Sequence, residues 1–186
     1  MTKWKQWSRH TPAVLTFILS SVVLAPLAFL VVATVPALAA HEQVSFPGNY
    51  PAGVIVISQH QRKLYLTEGN GQAIRYPVAV GKAGKGWLGE TYVEAKFMHP
   101  DWSPPAVVHR DHPELPALIP GTSPRNPMGV AAIKLQKFEI AIHGTNAHMR
   151  GSIGTAASYG CIRMLNEDVL DLYQRVDTGT PVIAVP

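Results

Sequence analysis

The sequence has little charge and almost no cysteine. Only 15% of its 186 residues are Asp, Glu, Lys or Arg, and a single cysteine, Cys161, is present. One thiol cannot form a disulfide within the chain, so a disulfide-stabilised scaffold is excluded. The thiol is then a buried small apolar side chain, a partner for a thiol of another chain, or a reacting nucleophile.

Acidic residues are absent from the first 40 positions, where three basic residues precede an apolar run at 13–35 and small residues at 37–40. A basic start, an apolar body and an Ala-x-Ala motif are typical of a secretory signal peptide. The apolar run is also long enough to span a bilayer. Residues 1–40 are therefore predicted to be a signal peptide or an N-terminal membrane anchor. Both interpretations predict export of residues 41–186 to the periplasm or cell envelope, with membrane contact only through 13–35 if the leader is uncleaved.

The exported part also lacks an excess of positive charge. Of the 16 basic and 12 acidic residues of the chain, three basic ones lie in 1–40, which leaves 13 against 12. Nucleic-acid binding requires a basic surface that displaces counterions, so we predict no nucleic-acid partner.

After a predicted linker at 41–52, apolar runs and alternating patterns between turn residues predict a mainly β domain over 53–186. The predicted strands are 54–57, 63–67, 73–80, 91–97, 129–135, 138–142 and 180–185. One helix is predicted near the C-terminus, with Asn166 as its N-cap and Gly179 beyond its end. Its buried face follows helical spacing and consists of Val169, Leu172, Tyr173 and Val176.

Between residues 98 and 128 the sequence is irregular and contains eight prolines. A long irregular segment within a compact domain is usually functional, so this proline-rich loop is predicted to be a lid or wall beside a site. Its histidines at 109 and 112, with His99, suggest zinc as an alternative. The prolines beside them disfavour an ordered helical pair, and no His-Glu-x-x-His motif is present, so no metal site is predicted.

A histidine and the cysteine each follow a pattern that positions a reacting group. His143 ends an apolar strand and is followed by a glycine, while Cys161 follows Gly160 eighteen residues later. An imidazole near a thiol can take its proton and hold it as a thiolate, so His143 is the candidate base for Cys161. The backbone amides of Tyr159, Gly160 and Cys161 are candidate donors to the oxyanion of a tetrahedral intermediate.

These motifs resemble those of the L,D-transpeptidase catalytic domain family of the YkuD type, which includes ErfK- and YbiS-like proteins. The resemblance covers most of 53–186 and rests on His-Gly-Thr-Asn at 143–146 and on Ser-x-Gly-Cys-Ile-Arg-Met at 158–164. Further matches occur in the same order at 53–57, 64–66, 76–81, 100–105, 126–129 and 165–169.

The resemblance implies a β-sandwich-like domain that acts on peptidoglycan stem peptides without a cofactor. Cys161 would attack the carbonyl before the terminal D-alanine and form a thioester, with His143 as base and the Gly144 carbonyl orienting the imidazole. An amine acceptor would then resolve the thioester. The side-chain amine of another stem would give a 3→3 cross-link, a lysine of an anchored lipoprotein would attach that protein to the wall, and a free D-amino acid would replace the D-alanine. Arg163, Asn146 and Ser158 would be candidate substrate-binding residues.

Several positions remain open at this stage. Tyr159 replaces the histidine that is common two residues before the cysteine in the family, which leaves the role of its side chain undecided. Each candidate substrate-binding residue also has a structural alternative. Arg163 could form an ion pair with Asp168, the Ser158 hydroxyl could stabilise a turn, and the Asn146 side chain could form hydrogen bonds within its own loop.

Three other functions are consistent with part of this pattern. An L,D-carboxypeptidase of the same fold would pass the acyl group to water. A non-catalytic peptidoglycan-binding module would use the pocket without the thiolate, and the Cys–His pair argues against it. A metal-dependent amidase would require a metal site that the sequence does not predict.

Overall fold

A computed structural model describes residues 41–186, and the predicted leader at 1–40 lies outside the described residues. Within 41–186 the chain forms eleven strands, two α-helices and one 3-10 helix. The strands are β1 (Glu42–Ser45), β2 (Ile55–Ser58), β3 (Lys63–Gly69), β4 (Gln72–Pro77), β5 (Val80–Gly81), β6 (Gly89–Met98), β7 (Ala131–Leu135), β8 (Ala141–His143), β9 (Ala156–Ser158), β10 (Ile162–Arg163) and β11 (Pro181–Val185). The helices are α1 (Ala106–Asp111), the 3-10 helix (Ala147–Ser152) and α2 (Asn166–Arg175).

Nine strands pair in the order β1-β4-β3-β2-β11-β6-β7-β8-β10, and β5 pairs with β9. The long strand β6 joins the two halves of this sheet: its first residues pair with β11, and those from Val93 to Met98 pair with β7. A bulge between Val93 and Ala95 interrupts the register there. Bulges bend a strand and increase its twist, which lets one strand serve both halves. The prediction of a mainly β fold is confirmed.

One apolar core connects both halves of the sheet with helix α2. Side chains of β2 to β4 and of β7, β8 and β10 contribute to it, including Ile57, Tyr76, Ile133, Ile142 and Ile162, all fully buried. A smaller cluster on the other face of β2 and β3 is covered by residues 44–50. The large core anchors β8 and β10, the two strands that carry His143 and Arg163.

Helix α2 buries the predicted face, since Val169 and Leu172 are inaccessible and Val176 follows directly after the last turn. The helix begins at Asn166 itself, with Leu165 as the N-cap residue, so the prediction of Asn166 as N-cap is wrong by one position. Gly179, with a φ of +89°, lies in the turn before β11 rather than at the helix end.

Three predicted segments differ from the structure in physically instructive ways. Residues 41–52, predicted as a linker, include β1, which pairs with β4. The predicted strand 73–80 divides after Pro77, because the Val78 amide donates to the Arg62 carbonyl and β5 then pairs with β9. The predicted strand 138–142 begins only at Ala141, because Glu139 is left-handed with a φ of +55°.

The proline-rich loop contains local order that its prolines did not predict. Helix α1 lies within it, and Trp102 and Ile119 form a β-bridge across it. The buried side chain of Asn126 donates to carbonyl groups of Pro100, Ile119 and Pro120. Its amide oxygen accepts from the Met128 backbone, so one side chain ties both ends of the loop together. Among residues 41–186, no helix is long and apolar enough to cross a bilayer.

Truncation of Leu172 tests the contribution of α2 to the core. Leu172→Ala leaves a cavity in a fully buried site, and we expect the free energy of unfolding to fall by about 2–5 kcal/mol. Urea denaturation followed by circular dichroism measures the change. Leu88→Ala removes an exposed leucine and should change the stability little. Equal losses in both variants would contradict the proposed packing.

Candidate active site

The two polar motifs meet where β8 and β10 pair in parallel. His143 lies directly opposite Arg163, and Ile142 lies opposite Ile162. Side chains alternate between the faces of a strand, so the buried isoleucines point to the core while His143 and Arg163 point to the other face. Cys161 is two residues before Arg163 and lies in the same pocket as both. The pairing therefore brings the cysteine and the histidine to one face of the sheet.

This face forms the floor of a pocket of about 500 Å³. The proline-rich loop supplies one wall, as the sequence predicted, and the β7–β8 turn and the 3-10 helix supply others. Lining residues from the proline-rich loop are Trp102, Pro105, Val107, Val108, His112, Leu115, Ile119, Arg125, Pro127 and Met128. Most of them are apolar, which is typical of a ligand pocket with a few polar groups at its floor.

His143 is buried and its ring is held by its neighbour. The Nδ1 atom lies 2.7 Å from the Gly144 carbonyl oxygen. A carbonyl only accepts, so Nδ1 carries the proton and donates to Gly144, and the neutral ring has its lone pair on Nε2. This is the orientation by Gly144 that the sequence resemblance implied. The ring is thus set in the tautomer that a general base requires.

Cys161 is partly exposed, so the sulfur is accessible from the pocket. Its thiol donates to the Glu139 carbonyl oxygen at 3.5 Å. Burial raises the pKa of the Cys161 thiol, while the Ala141 backbone and the Arg163 charge act in the opposite direction. The thiol is therefore the favoured form at neutral pH.

Burial also lowers the pKa of His143 to about 4, although the Gly144 and Pro127 carbonyls favour its protonated form. A neutral imidazole and a neutral thiol are thus favoured together, rather than a standing thiolate–imidazolium pair. The hydrogen bonds of residues 41–186 include none between the sulfur and the ring. Proton transfer from Cys161 would then accompany attack on a substrate instead of preceding it.

The turn before Cys161 uses the Ser158 hydroxyl as an internal support. That hydroxyl is buried, donates to the Cys161 carbonyl at 2.5 Å and accepts from the Gly160 amide at 3.0 Å. Ser158 therefore has the turn role that was its alternative, and the Gly160 amide already has a partner. The amides of Tyr159 and Cys161 have no hydrogen-bond partner among residues 41–186 and remain as candidate donors to an oxyanion. Gly160 has a φ of +127°, which requires glycine.

Arg163 is a half-buried cation beside the thiol. Burial lowers the pKa of its guanidinium, and its Nη1 atom lies 3.5 Å from the Ser152 hydroxyl. The alternative ion pair with Asp168 is wrong, because Asp168 is buried against His41, 3.5 Å away. Among the described residues no carboxylate pairs with Arg163, so its charge is available to an anionic ligand.

Asn146 lies at the pocket but its amide is occupied by the loop. Its oxygen accepts from the Met149 backbone and caps the 3-10 helix, and its nitrogen donates to the Arg125 carbonyl. Asn146 therefore has the alternative role, in which its side chain forms hydrogen bonds within the loops instead of binding substrate. Among residues 41–186 no three His, Cys, Asp or Glu side chains converge on a point where a metal ion could bind.

Two supporting residues escaped the sequence reasoning. Asn166 Oδ1 accepts from the Thr145 amide at 3.0 Å and thereby fixes the turn after His143 from the start of α2. A side chain at Gly144 would collide with that oxygen, so the small residue and the asparagine require each other. Trp87 donates from its indole nitrogen to the Gly160 carbonyl at 3.1 Å. Neither contact has a local signal in the sequence, since each joins distant segments.

The family comparison agrees with this geometry. The model of the YkuD family, the L,D-transpeptidase catalytic domain, matches residues 52–183. The chain belongs to this family.

Relatives of the YkuD domain share about a third of its residues. The Escherichia coli K12 protein named probable L,D-transpeptidase YbiS is 36% identical over 149 residues, which cover 76% of this chain and 47% of that protein. The Salmonella typhimurium protein named probable L,D-transpeptidase ErfK/SrfK is also 36% identical, over 76% of this chain and 46% of its own length. The chain therefore spans about half the length of these relatives.

The fold is also that of solved L,D-transpeptidases. The crystal structure of L,D-transpeptidase 3 from Mycobacterium tuberculosis superimposes with a TM-score of 0.57. That alignment has 19% identity and covers 73% of this chain and 62% of the other. At this identity the likeness establishes the architecture of the YkuD domain, and the chemistry rests on the residues described above.

Tyr159 connects the turn before Cys161 to the proline-rich loop. Its hydroxyl donates to Asp111 of α1 at 2.9 Å, and the Lys82 ammonium lies 3.8 Å from its ring centroid. The hydrogen bond from Tyr159 lowers the pKa of Asp111. The side chain is therefore a link between the floor and the wall of the pocket.

The pH dependence of alkylation tests the neutral state of the Cys161 thiol. Since burial raises the pKa of Cys161 above its ordinary value of 9.0, we expect its reaction with iodoacetamide to be slow at neutral pH and its rate to be still rising with pH at 9. Intact-mass measurements at several pH values give the rate, with N-acetylcysteine as the reference thiol. A rate that is already constant around neutral pH would instead indicate a standing thiolate–imidazolium pair.

Removal of the Tyr159 hydroxyl tests the link to the loop. Tyr159→Phe deletes the bond to Asp111 and should destabilise the local closure of α1 by about 0.5–1.5 kcal/mol. We expect faster hydrogen exchange at 106–112 with little change in the core strands. Tyr92→Phe, at an exposed tyrosine of β6, is the control and should leave exchange in α1 as it is.

Proposed function

We propose that this domain catalyses L,D-transpeptidation on peptidoglycan stem peptides through a thioester on Cys161. One observation carries the proposal: His143 at the end of β8 and Cys161 directly before β10, the strand paired with β8, line the same pocket of about 500 Å³. The YkuD family membership supports the reaction class. Cys161 is the only cysteine of the chain, so a cysteine nucleophile can only be this residue.

In the first half-reaction the Cys161 sulfur attacks the carbonyl carbon that precedes the terminal D-alanine. His143 Nε2 accepts the thiol proton as the C–S bond forms, and Nδ1 keeps its bond to Gly144 throughout. The amides of Tyr159 and Cys161 donate to the oxyanion. The C–N bond then breaks, the imidazolium protonates the departing amine, and D-alanine leaves with the acyl group retained as a thioester.

Arg163 supports binding of the donor carboxylate. Its guanidinium is half-buried, lies beside the thiol and has no carboxylate partner within residues 41–186. A guanidinium in such surroundings favours a carboxylate ligand, and the terminal D-alanine carries one. Because Ser158 and Asn146 are occupied by the loops, Arg163 is the strongest of the three candidate substrate-binding residues.

In the second half-reaction an acceptor attacks the thioester. The candidates are the side-chain amine of another stem, which gives a 3→3 cross-link, a lysine of an anchored lipoprotein, and a free D-amino acid. Water in the same position gives L,D-carboxypeptidase activity. We place the domain in the periplasm or cell envelope, because the basic, apolar and small-residue pattern of 1–40 is that of an export signal.

Replacement of Cys161 and His143 tests the proposal directly. On incubation with disaccharide-tetrapeptide, we expect an intact-mass adduct equal to the donor minus D-alanine, and none with Cys161→Ala. His143→Gln should slow adduct formation about 10²–10⁴-fold, since it removes the general base. His148→Gln, at an exposed histidine of the 3-10 helix, is the matched control and should react as the wild type does.

Turnover by Cys161→Ala would refute a covalent mechanism at this residue. Tight binding without an adduct in the wild type would support a binding module, and loss of turnover on chelation would support a metal-dependent amidase. Release of tripeptide without any cross-linked or exchanged product would assign the carboxypeptidase reaction.

A further inference from the structure

The β7–β8 turn, residues 136–140, presents an unusual pair of side chains at the mouth of the pocket. Phe138 is 87% exposed, the highest value among the exposed large apolar residues of the described part of the chain. Its neighbour Glu139 is also exposed, and both residues line the pocket. Glu139 is the one acidic residue among the pocket-lining residues within 41–186.

The backbone holds Glu139 close to the reacting sulfur. Two turn hydrogen bonds, Leu135 N–H to Ile140 and Ile140 N–H to Lys137, close the loop around it. Its carbonyl accepts the Cys161 thiol at 3.5 Å. Its φ of +55° lies in the left-handed region that a residue with a long side chain rarely adopts. The chain thus keeps a glutamate where glycine or asparagine would be less strained.

The Glu139 carboxylate is also free of internal partners, unlike other acids near the pocket. Asp111 pairs with Arg110 and bonds to Tyr159, and Glu114 pairs with His112. No ion pair of residues 41–186 involves Glu139. Its charge nevertheless acts on Cys161, where it opposes formation of the thiolate. The Glu139 carboxylate is therefore an unpaired negative charge at the pocket, near enough to the sulfur to affect it.

We propose that the β7–β8 turn is the acceptor subsite, in which Glu139 binds the ammonium group of an aliphatic amine and Phe138 contacts its hydrocarbon stem. This inference rests on the proposed thioester chemistry and assigns the residues that bind its amine acceptor. In this arrangement a positive and a negative side chain of the pocket bind different substrates. Arg163 attracts the carboxylate of the donor, while Glu139 attracts the cation of the acceptor and positions its nitrogen near Cys161.

The chemistry balances without any further reactant. The bound ammonium loses one proton to His143 or solvent and becomes a nucleophilic amine. Its nitrogen attacks the thioester carbonyl, the C–N bond forms, and the C–S bond breaks. One proton returns to the sulfur and one passes to solvent, so that alkylammonium and thioester give an amide, the free thiol and a proton.

The experiment measures how one acyl-enzyme divides between competing acceptors. Disaccharide-tetrapeptide serves as donor and as amine acceptor, with hydroxylamine added as a nucleophile that is mostly uncharged near neutral pH. Chromatography with mass detection quantifies cross-linked dimer, tripeptide from hydrolysis, and hydroxamate. Since all three products come from the same thioester, their ratios do not depend on the rate of acylation.

We expect Glu139→Gln to lower the ratio of dimer to tripeptide about fivefold, the effect of losing one exposed charge pair. The ratio of hydroxamate to tripeptide should stay near the wild-type value. Glu139→Asp, which keeps the charge, should restore most of the dimer, and Glu90→Gln, at an exposed glutamate of β6, should behave as the wild type. High salt should lower the wild-type ratio toward that of Glu139→Gln.

An unchanged dimer ratio in Glu139→Gln would overturn the inference, and so would an equal loss of dimer and hydroxamate, which would indicate a structural role. In both cases a thioester on Cys161 would still be observed by intact mass, and the proposed function would stand. Absence of that thioester in the wild type would overturn the proposed function and the acceptor subsite together.

Discussion

The site depends on the parallel register between β8 and β10. This pairing sets His143 opposite Arg163 and brings Cys161 to the same face, while Ile142 and Ile162 anchor the two strands from the core side. A shift by one residue would turn His143 into the core and expose the isoleucine, so the cost of burying the wrong side chains fixes the register. The fold therefore determines the relative placement of His143 and Cys161 through apolar packing, and the polar residues add local orientation.

Burial has a second consequence for the chemistry. It lowers the pKa of His143 to about 4 and raises the pKa of Cys161, so both groups are favoured in their neutral forms. Both shifts oppose a standing ion pair, and the unpaired charge of Arg163 lies close enough to favour the thiolate when it forms. The resting site is then a weak nucleophile, protected from unselective oxidation or alkylation. In the proposed mechanism, a bound substrate would supply the electrophile that draws the proton from sulfur to nitrogen.

The sequence was sufficient for the parts of the structure that have local signals. Alternating and apolar runs located most strands, and helical spacing found the buried face of α2. The motif around Gly144 anticipated the carbonyl that orients His143. The sequence alone could not predict that Asn166 would accept from the Thr145 amide instead of capping its own helix, because that contact depends on how α2 docks against the sheet. For the same reason the strand β1, which needs β4 as a partner, was predicted as a linker.

Helix α2 connects the site to the opposite edge of the sheet. At its start Asn166 holds the Thr145 amide, and two residues later the buried Asp168 faces His41 beside β1. Burial raises the pKa of Asp168 to about 6, and neither of its oxygens has a hydrogen-bond partner among residues 41–186. Burial favours the neutral form of this carboxyl, and the His41 side chain at 3.5 Å is the polar group that faces it. The first turn of α2 thus contacts both the loop that follows His143 and the residue that precedes β1, in the segment that the sequence predicted as a linker.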